Sequence, residues 1–369
     1  MRVFLTYNES LDGIYKSQVI CVLKLLQNLG YNFKLVCFIS LKRFLKQRNE
    51  IKKEYRYSLI LPSIPYIRFW KLNRFFLRFF LSKTELIVAR GIFATNLAIC
   101  SNTNNKYKII YDGRGAITSE QIEYGVYNGT GIENEIFKIE RIAVLNSHYR
   151  IAVSKKLIEY WKYNFNYQSN DHVVIPSCSN KFFDFDIENF KEKKEIIIIF
   201  SGSLSKWHSF DLMIKHFETF LISSKKVKIL ILSKPNSKFD LLLEKFPKRV
   251  SIDWVKPSHV KNILINADYG YVYRESSITN EVASPVKIAE YLSCGLKIII
   301  SKNLGDYSEL VNNYNLGFNL DIQNTLPLFK VNIKEKFRIS KFAKENLSIH
   351  SKIIVNKYLN LLNENSLTN

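Results

Sequence analysis

Short apolar runs alternate with longer amphipathic stretches along most of the chain, which is the pattern of parallel strands joined by helices. Residues 3–7 (VFLTY) read as a first buried strand. A polar loop over 8–13 leads into a helix with Val19, Val22, Leu23 and Leu26 on one face and Gly30 as its stop, and 33–39 reads as the second strand. Further strands are expected over 86–89, 109–111, 151–154 and 173–176, and the cycle restarts at 196–200 (IIIIF), 227–232, 250–253, 269–273, 298–300 and 316–318. Helices are expected over 239–246, after a cap at Ser258, after Gly305-Asp306, and along the tail from 333. Openings of the β-loop-α-β kind are doubly wound. The fold class is therefore α/β, with two Rossmann-like domains facing a central cleft. The charged, strand-free stretch 184–194 is the boundary, and its Asp184-Phe185-Asp186 reads as solvated charge.

One stretch organises the rest. In Ser284-Pro285-Val286-Lys287, followed by Ile288, Glu290, Tyr291, Leu292 and Gly295, the Ser is expected to cap a helix, Pro to open it and Gly to close it. Such a helix mouth is an anion site, and the Glu290 carboxylate can accept hydrogen bonds from a ribose. The same stretch taken alone also fits an ordinary helix with a partly exposed Glu. Other candidates stand just beyond strand ends, where open α/β sheets put ligands. Gly13 either lets a backbone approach a phosphate or makes the turn. Arg90-Gly91 and Asp112-Gly113-Arg114-Gly115 offer charge at a crevice, or a buried Asp–Arg clasp. Gly202, Ser203 and Lys206 form a Gly/Ser turn with an ammonium before a helix, and Arg274-Glu275 end the 269–273 strand.

Residues 42–83 change the picture of partners. They hold 12 Lys and Arg against Glu50 and Glu54. At 100° per residue Arg68, Lys71, Arg74 and Arg78 fall on one helical arc, with Phe69, Trp70, Phe75, Phe76, Phe79 and Phe80 over the remainder. That pattern suits a helix lying in an anionic lipid surface, and it suits a core helix with snorkelling basic stems equally well. The aromatics are too dense for stacking platforms alone and no nucleic-acid module accompanies them, so nucleic acid is not the expected partner.

Composition agrees. Net charge is +21, and residues 1–90 carry 17 Lys and Arg against 5 Asp and Glu, a field that favours anionic partners. The five cysteines, Cys21, Cys37, Cys100, Cys178 and Cys294, are scattered without metal-ligand spacing, as in a reducing compartment. No Gly-x-Gly-x-x-Gly follows the first strand, which disfavours a dinucleotide oxidoreductase. No uncharged run reaches the roughly 18–20 residues of a membrane span, and no signal peptide opens the chain, so a cytoplasmic protein peripheral at the inner face of the membrane is expected.

The segment 284–296 with Ile298-Ile299 resembles the donor-binding segment of GT-B-fold retaining glycosyltransferases of group 1, glycosyltransferase family four, as found in bacterial surface-polysaccharide assembly. Gly202 through Lys206 is similar to that family's diphosphate loop, with Lys206 matching and Ser203 where an Arg is usual. Val153-Ser154 and 175–183 resemble the segments ahead of its domain junction. The resemblance implies an acceptor-side domain over 1–183 onto which a helix at about 346–369 packs back, and a nucleotide-sugar domain over 184–345. It implies a nucleotide-diphosphate sugar as co-substrate, no metal, and a lipid-linked or oligosaccharide acceptor. Catalytic candidates are Asp112, Arg114, Lys206 and Glu290. Donor-binding candidates are Gly13, Gly202, Ser203, Lys206, Arg274, Ser284, Pro285, Val286, Lys287 and Glu290. The chain departs from the family where an acid is usual and Val282 stands, with Glu281 one place off, and Asp112-Gly113-Arg114-Gly115 occupies the region of the usual His. A nucleotide-sugar epimerase of the same fold and a non-catalytic basic adaptor at a membrane or polyanion are the rival expectations.

Overall fold

Runs such as 196–200 and 298–300 have no polar face to give to solvent, so they form strands covered on both sides. The computed structural model describes residues 1–180, 182, 194–203, 206–320 and 327–365. The chain divides into two units, one of residues 1–177, 282–284 and 352–369, the other of residues 178–281 and 285–351.

In the first unit, β1 (Arg2–Tyr7), β2 (Phe33–Ser40), β3 (Ser58–Ser63), β4 (Leu86–Arg90), β5 (Lys108–Gly113), β6 (Tyr149–Ala152) and β7 (His172–Val174) form one parallel sheet in the order β3-β2-β1-β4-β5-β6-β7. In the second, β8 (Ile196–Ser201), β9 (Val227–Leu232), β10 (Val250–Asp253), β11 (Tyr269–Val272), β12 (Lys297–Ser301) and β13 (Gly317–Leu320) form a parallel sheet in the order β10-β9-β8-β11-β12-β13. Each winding reverses once, between β1 and β4 and between β8 and β11. Loops leaving the carboxyl ends of such a pair turn to opposite faces and leave a crevice for ligands. The first core joins Val3, Leu5, Phe38, Ile87, Tyr111 and Trp161 with Val282 from far along the chain; the second centres on Phe200, Ile229, Ile231, Phe217, Tyr271 and Ile299.

Several expectations change. Residues 58–63 form an edge strand that the apolar pattern did not reveal, since it contains Pro62 and is only partly covered; a Pro is tolerated there because an edge leaves N–H groups unpaired. The region 67–80 is not one helix with a basic arc but a 3₁₀ turn, Ile67–Leu72, followed by an α-helix, Asn73–Phe80. Helix Val286–Ser293 starts after Pro285, which takes the cap position without a side-chain bond. Ser284 does not cap it: its Oγ accepts the Ser177 N–H at 2.9 Å. Ser258 lies inside helix Pro257–Leu264, whose cap position is Lys256. Asp184-Phe185-Asp186 lies outside the described residues. Among the described residues no helix is long and apolar enough to cross a membrane.

Candidate functional site

At the winding reversal of the second sheet, β8 ends in Ser201 and the chain turns through Gly202, whose φ is +148°. A Cβ on Gly202 would stand 2.3 Å from the Lys287 Nζ, so the glycine is what lets the ammonium lie against this turn. Lys287 comes from the first turn of helix Val286–Ser293. Its Nζ sits 4.6 Å from the centre of the Phe200 ring and 3.2 Å from the His208 Nε2. Burial, then the nearby Arg274, push the Lys287 pKa down to about 7, with Glu290 acting in the opposite sense. Burial, Lys287 and Arg274 push His208 down to about 2, so its ring stays neutral and accepts from the lysine whenever the lysine is charged. Arg274 follows β11, its Nη1 donating to Asn280 Oδ1 at 3.3 Å. Glu290, one turn beyond Lys287 on the same helix, is exposed. Two basic side chains, Lys287 and Arg274, thus gather where the sheet opens, and the Glu290 carboxylate acts on the same ammonium. Paired basic groups beside a glycine turn are the chemistry that a dianion of diphosphate size would meet.

At the corresponding reversal of the first sheet, the charges answer one another. Arg90, the last residue of β4, donates from Nε to Glu9 Oε2 at 2.9 Å and from Nη1 to Asp112 Oδ2 at 3.3 Å. Arg114 Nη2 lies 2.8 Å and 3.0 Å from the two oxygens of Asp112. Burial works against the charge on Arg90, but Glu9 and Asp112 outweigh it and hold the guanidinium protonated. Asp112 is 1% exposed, so it is closed to any acceptor; it anchors two arginines. Arg114 is more open, and its Nε and Nη1 find no hydrogen-bond acceptor among the described residues. Helix Ile117–Tyr124 begins just after, its Ile117 and Thr118 N–H groups donating to the buried Glu140, whose pKa burial raises to about 7.

No protein-family model matches the sequence, and no curated protein matches it. Solved structures match along the whole chain. A glycosyltransferase from Rickettsia africae has a TM-score of 0.70 over 100% of this chain and 99% of its own, at 15% identity. Sucrose-phosphate synthase from Thermosynechococcus elongatus has a TM-score of 0.70 over 98% of each chain at 10% identity. HepE from Anabaena, solved with UDP and glucose, has a TM-score of 0.67 over 99% of this chain and 100% of its own, at 12% identity. The fold is GT-B.

Within this GT-B chain the residues picked from sequence fall into two groups. Gly202, Arg274, Lys287 and Glu290 surround one another in the second unit, with Pro285 and Val286 opening the helix that carries two of them and Ser203 exposed beside the turn. Lys206 begins a 3₁₀ turn, Lys206–His208, and its side chain lies outside the described residues. Asp112, Arg114 and Ser284 belong to the first unit. Gly13 opens a helical turn capped by Asp12, at an ordinary φ and with open space where a Cβ would be. Sequence reasoning missed His208 and Glu9. His208 ends the 3₁₀ turn Lys206–His208, six residues after Gly202, a position that marks it for this site; Glu9 leaves β1 beside the winding reversal. Among the described residues no cluster of three His, Cys, Asp or Glu side chains suits a metal.

The GT-B chain also presents an apolar, basic surface. Along 67–81 Trp70, Asn73, Leu77 and Leu81 are buried, at the 3–4 residue spacing of one helix face, and Ile67 packs partly buried against the same core. Phe69, Leu72, Phe75, Phe76 and Phe79 face solvent, Phe79 at 82% exposure. The Arg68 and Arg74 guanidinium groups lie 4.8 and 5.0 Å from the ring centres of Phe69 and Phe75. A core position for these phenylalanines is therefore ruled out.

Proposed function

We propose that the protein is a glycosyltransferase that moves a sugar from a nucleoside-diphosphate donor to a hydroxyl of a lipid-linked glycan, with retention of configuration, in cell-surface polysaccharide assembly. The observation that carries this reading is Lys287, held against Gly202 beside Arg274 at the winding reversal of the second GT-B sheet. In the reaction the bond from the sugar's anomeric carbon to the diphosphate breaks, and its electron pair leaves with the phosphate oxygen. Lys287, Arg274 and Lys206 offset that charge, and the start of helix Val286–Ser293 adds its dipole. Glu290 accepts the ribose hydroxyls. The acceptor oxygen bonds the anomeric carbon on the face the diphosphate leaves, and passes its proton to the departing oxygen. The first unit takes the acceptor, with Arg114 rather than the enclosed Asp112 as the contacting side chain. Charge neutralisation by side chains implies turnover without an added metal, which an EDTA-treated assay checks.

A thermal-shift panel of UDP, GDP, CDP, ADP and dTDP tests the donor site. A ligand at 100 times its dissociation constant adds ~2.7 kcal/mol, and at least one of the five is expected to give such a shift. No shift with any of them sinks the reading. The affinity should also depend on pH with a defined sign. Lys287 grips a dianion only when charged, and its pKa is pushed down to about 7, so binding is full below that pH and weakens as pH rises from 7 to 9. Flat affinity over that range contradicts the assignment.

We further propose that the exposed face of 67–80 docks the protein on anionic lipid, at the inner face of the cell membrane where a lipid-linked acceptor resides. Arginines stacked on outward phenylalanines put charge at headgroup level and rings below it. Each fully transferred phenylalanine contributes about 1.5–3 kcal/mol. In flotation with vesicles containing phosphatidylglycerol, the wild-type chain rises, and the Phe75→Ser, Phe76→Ser, Phe79→Ser triple variant stays below. Equal flotation of the two places the lipid contact elsewhere.

A further inference from the structure

The Lys287 ammonium has contacts on three sides: the Phe200 ring, the Gly202 turn and the His208 Nε2. His208 accepts one of its N–H groups, and the other two have no acceptor among the described residues. The histidine itself is buried and cannot reach a ligand, but its ring is fixed. Phe200 and Phe210 meet it edge-on at 5.6 and 6.2 Å between ring centres, and Trp207 lies at 6.2 Å. The next residue, Ser209, takes a left-handed φ of 47°, and its Oγ accepts the Glu275 N–H at 3.0 Å, tying the turn to the loop that carries Arg274. An imidazole so confined points one nitrogen in one direction.

We infer that His208 is a positioning residue for the anion site, holding the Lys287 ammonium against the Gly202 turn so that its two remaining donors meet the donor's diphosphate. This rests on the donor assignment proposed above. The ring must stay uncharged to do this, and the low His208 pKa keeps it so. Without the histidine the flexible lysine stem has several rotamers in place of one, and the diphosphate must order it on binding.

Calorimetric titration of the full chain with inorganic pyrophosphate and with UDP tests the inference in four variants: His208→Phe, His208→Gln, Lys287→Met, and His208→Phe combined with Lys287→Met. His208→Phe keeps the packing and removes the acceptor; it is expected to bind about tenfold more weakly. His208→Gln, which restores an acceptor, stays close to wild type. The double variant binds no more weakly than Lys287→Met alone, since His208 acts through the lysine. Independent losses that add in the double variant, or an unaffected His208→Phe, overturn the positioning role while leaving the donor site intact. An unaffected Lys287→Met, or a wild-type chain that binds neither probe, overturns the donor assignment and this inference with it. A second readout covers any variant that melts early: in the wild-type protein the ¹⁵N signal of His208 Nε2 moves when pyrophosphate is added, and in Lys287→Met it does not. A signal unmoved in the wild type also defeats the inference.

Discussion

Lys287→Met lowers sugar transfer on the order of 10²–10³-fold, the usual cost of losing one preorganised charge contact to a leaving group. Met keeps most of the stem that packs on Phe200 and removes only the charge, so the fold is expected to be kept. Removing the charge also relieves the burial of an ammonium, and then its crowding with Arg274, which together depress the lysine's pKa. The variant should therefore melt no lower than wild type while its turnover collapses. Both quantities are needed: a melting temperature by calorimetry, and initial rates with whichever nucleoside-diphosphate sugar the binding panel selects. Near wild-type rates in a folded Lys287→Met protein remove the central cation from the mechanism.

Asp112→Ala has the opposite signature, a loss of stability rather than of a substrate contact. Asp112 is enclosed and lies between two guanidinium groups, with Arg90 itself buried. Taking one partner from a buried ion pair leaves uncompensated charge and costs roughly 3–5 kcal/mol. Glu9 still faces Arg90, which puts the expectation toward the lower end of that range. Urea unfolding of the variant should show the loss; an unchanged unfolding free energy together with a large fall in turnover would return Asp112 to the role of a substrate ligand.

The central strands were legible because buried parallel strands are apolar throughout, and the edge strands over 172–174, 250–253 and 317–320 because short apolar runs bounded by polar residues still mark them. The edge strand 58–63 was not legible, since an edge has no such requirement and Pro62 argued against a strand. The face of 67–80 was not legible either. Hydrophobicity says which residues avoid water in a folded core, but a surface built for a lipid or a partner uses the same residues pointing outward, and only the position of Trp70 and Leu77 in the core decides which way Phe76 and Phe79 turn. In the second unit, strand ends and a helix start singled out Gly202, Arg274, Lys287 and Glu290 as candidates, and the fold brings them together. His208 was passed over because a histidine among aromatics carries no signal by itself; its meaning comes from Lys287, 79 residues later. Glu9 and Asp112 show the same limit. Sequence marks charge beyond a strand end without saying which carboxylate is enclosed by arginine and which stays open.

Residues 282–284 belong to the first unit although the chain on either side of them builds the second. Val282 fills the first core, its carbonyl accepts from Ser154 Oγ at 2.7 Å, and Ser284 accepts from the Ser177 N–H. Anyone exchanging units between proteins of this architecture therefore has to treat this tripeptide as a foreign passenger of the second unit. It travels with the host's Ser154 and Ser177, and a swap made as a single uninterrupted block would carry in a plug cut for a different socket.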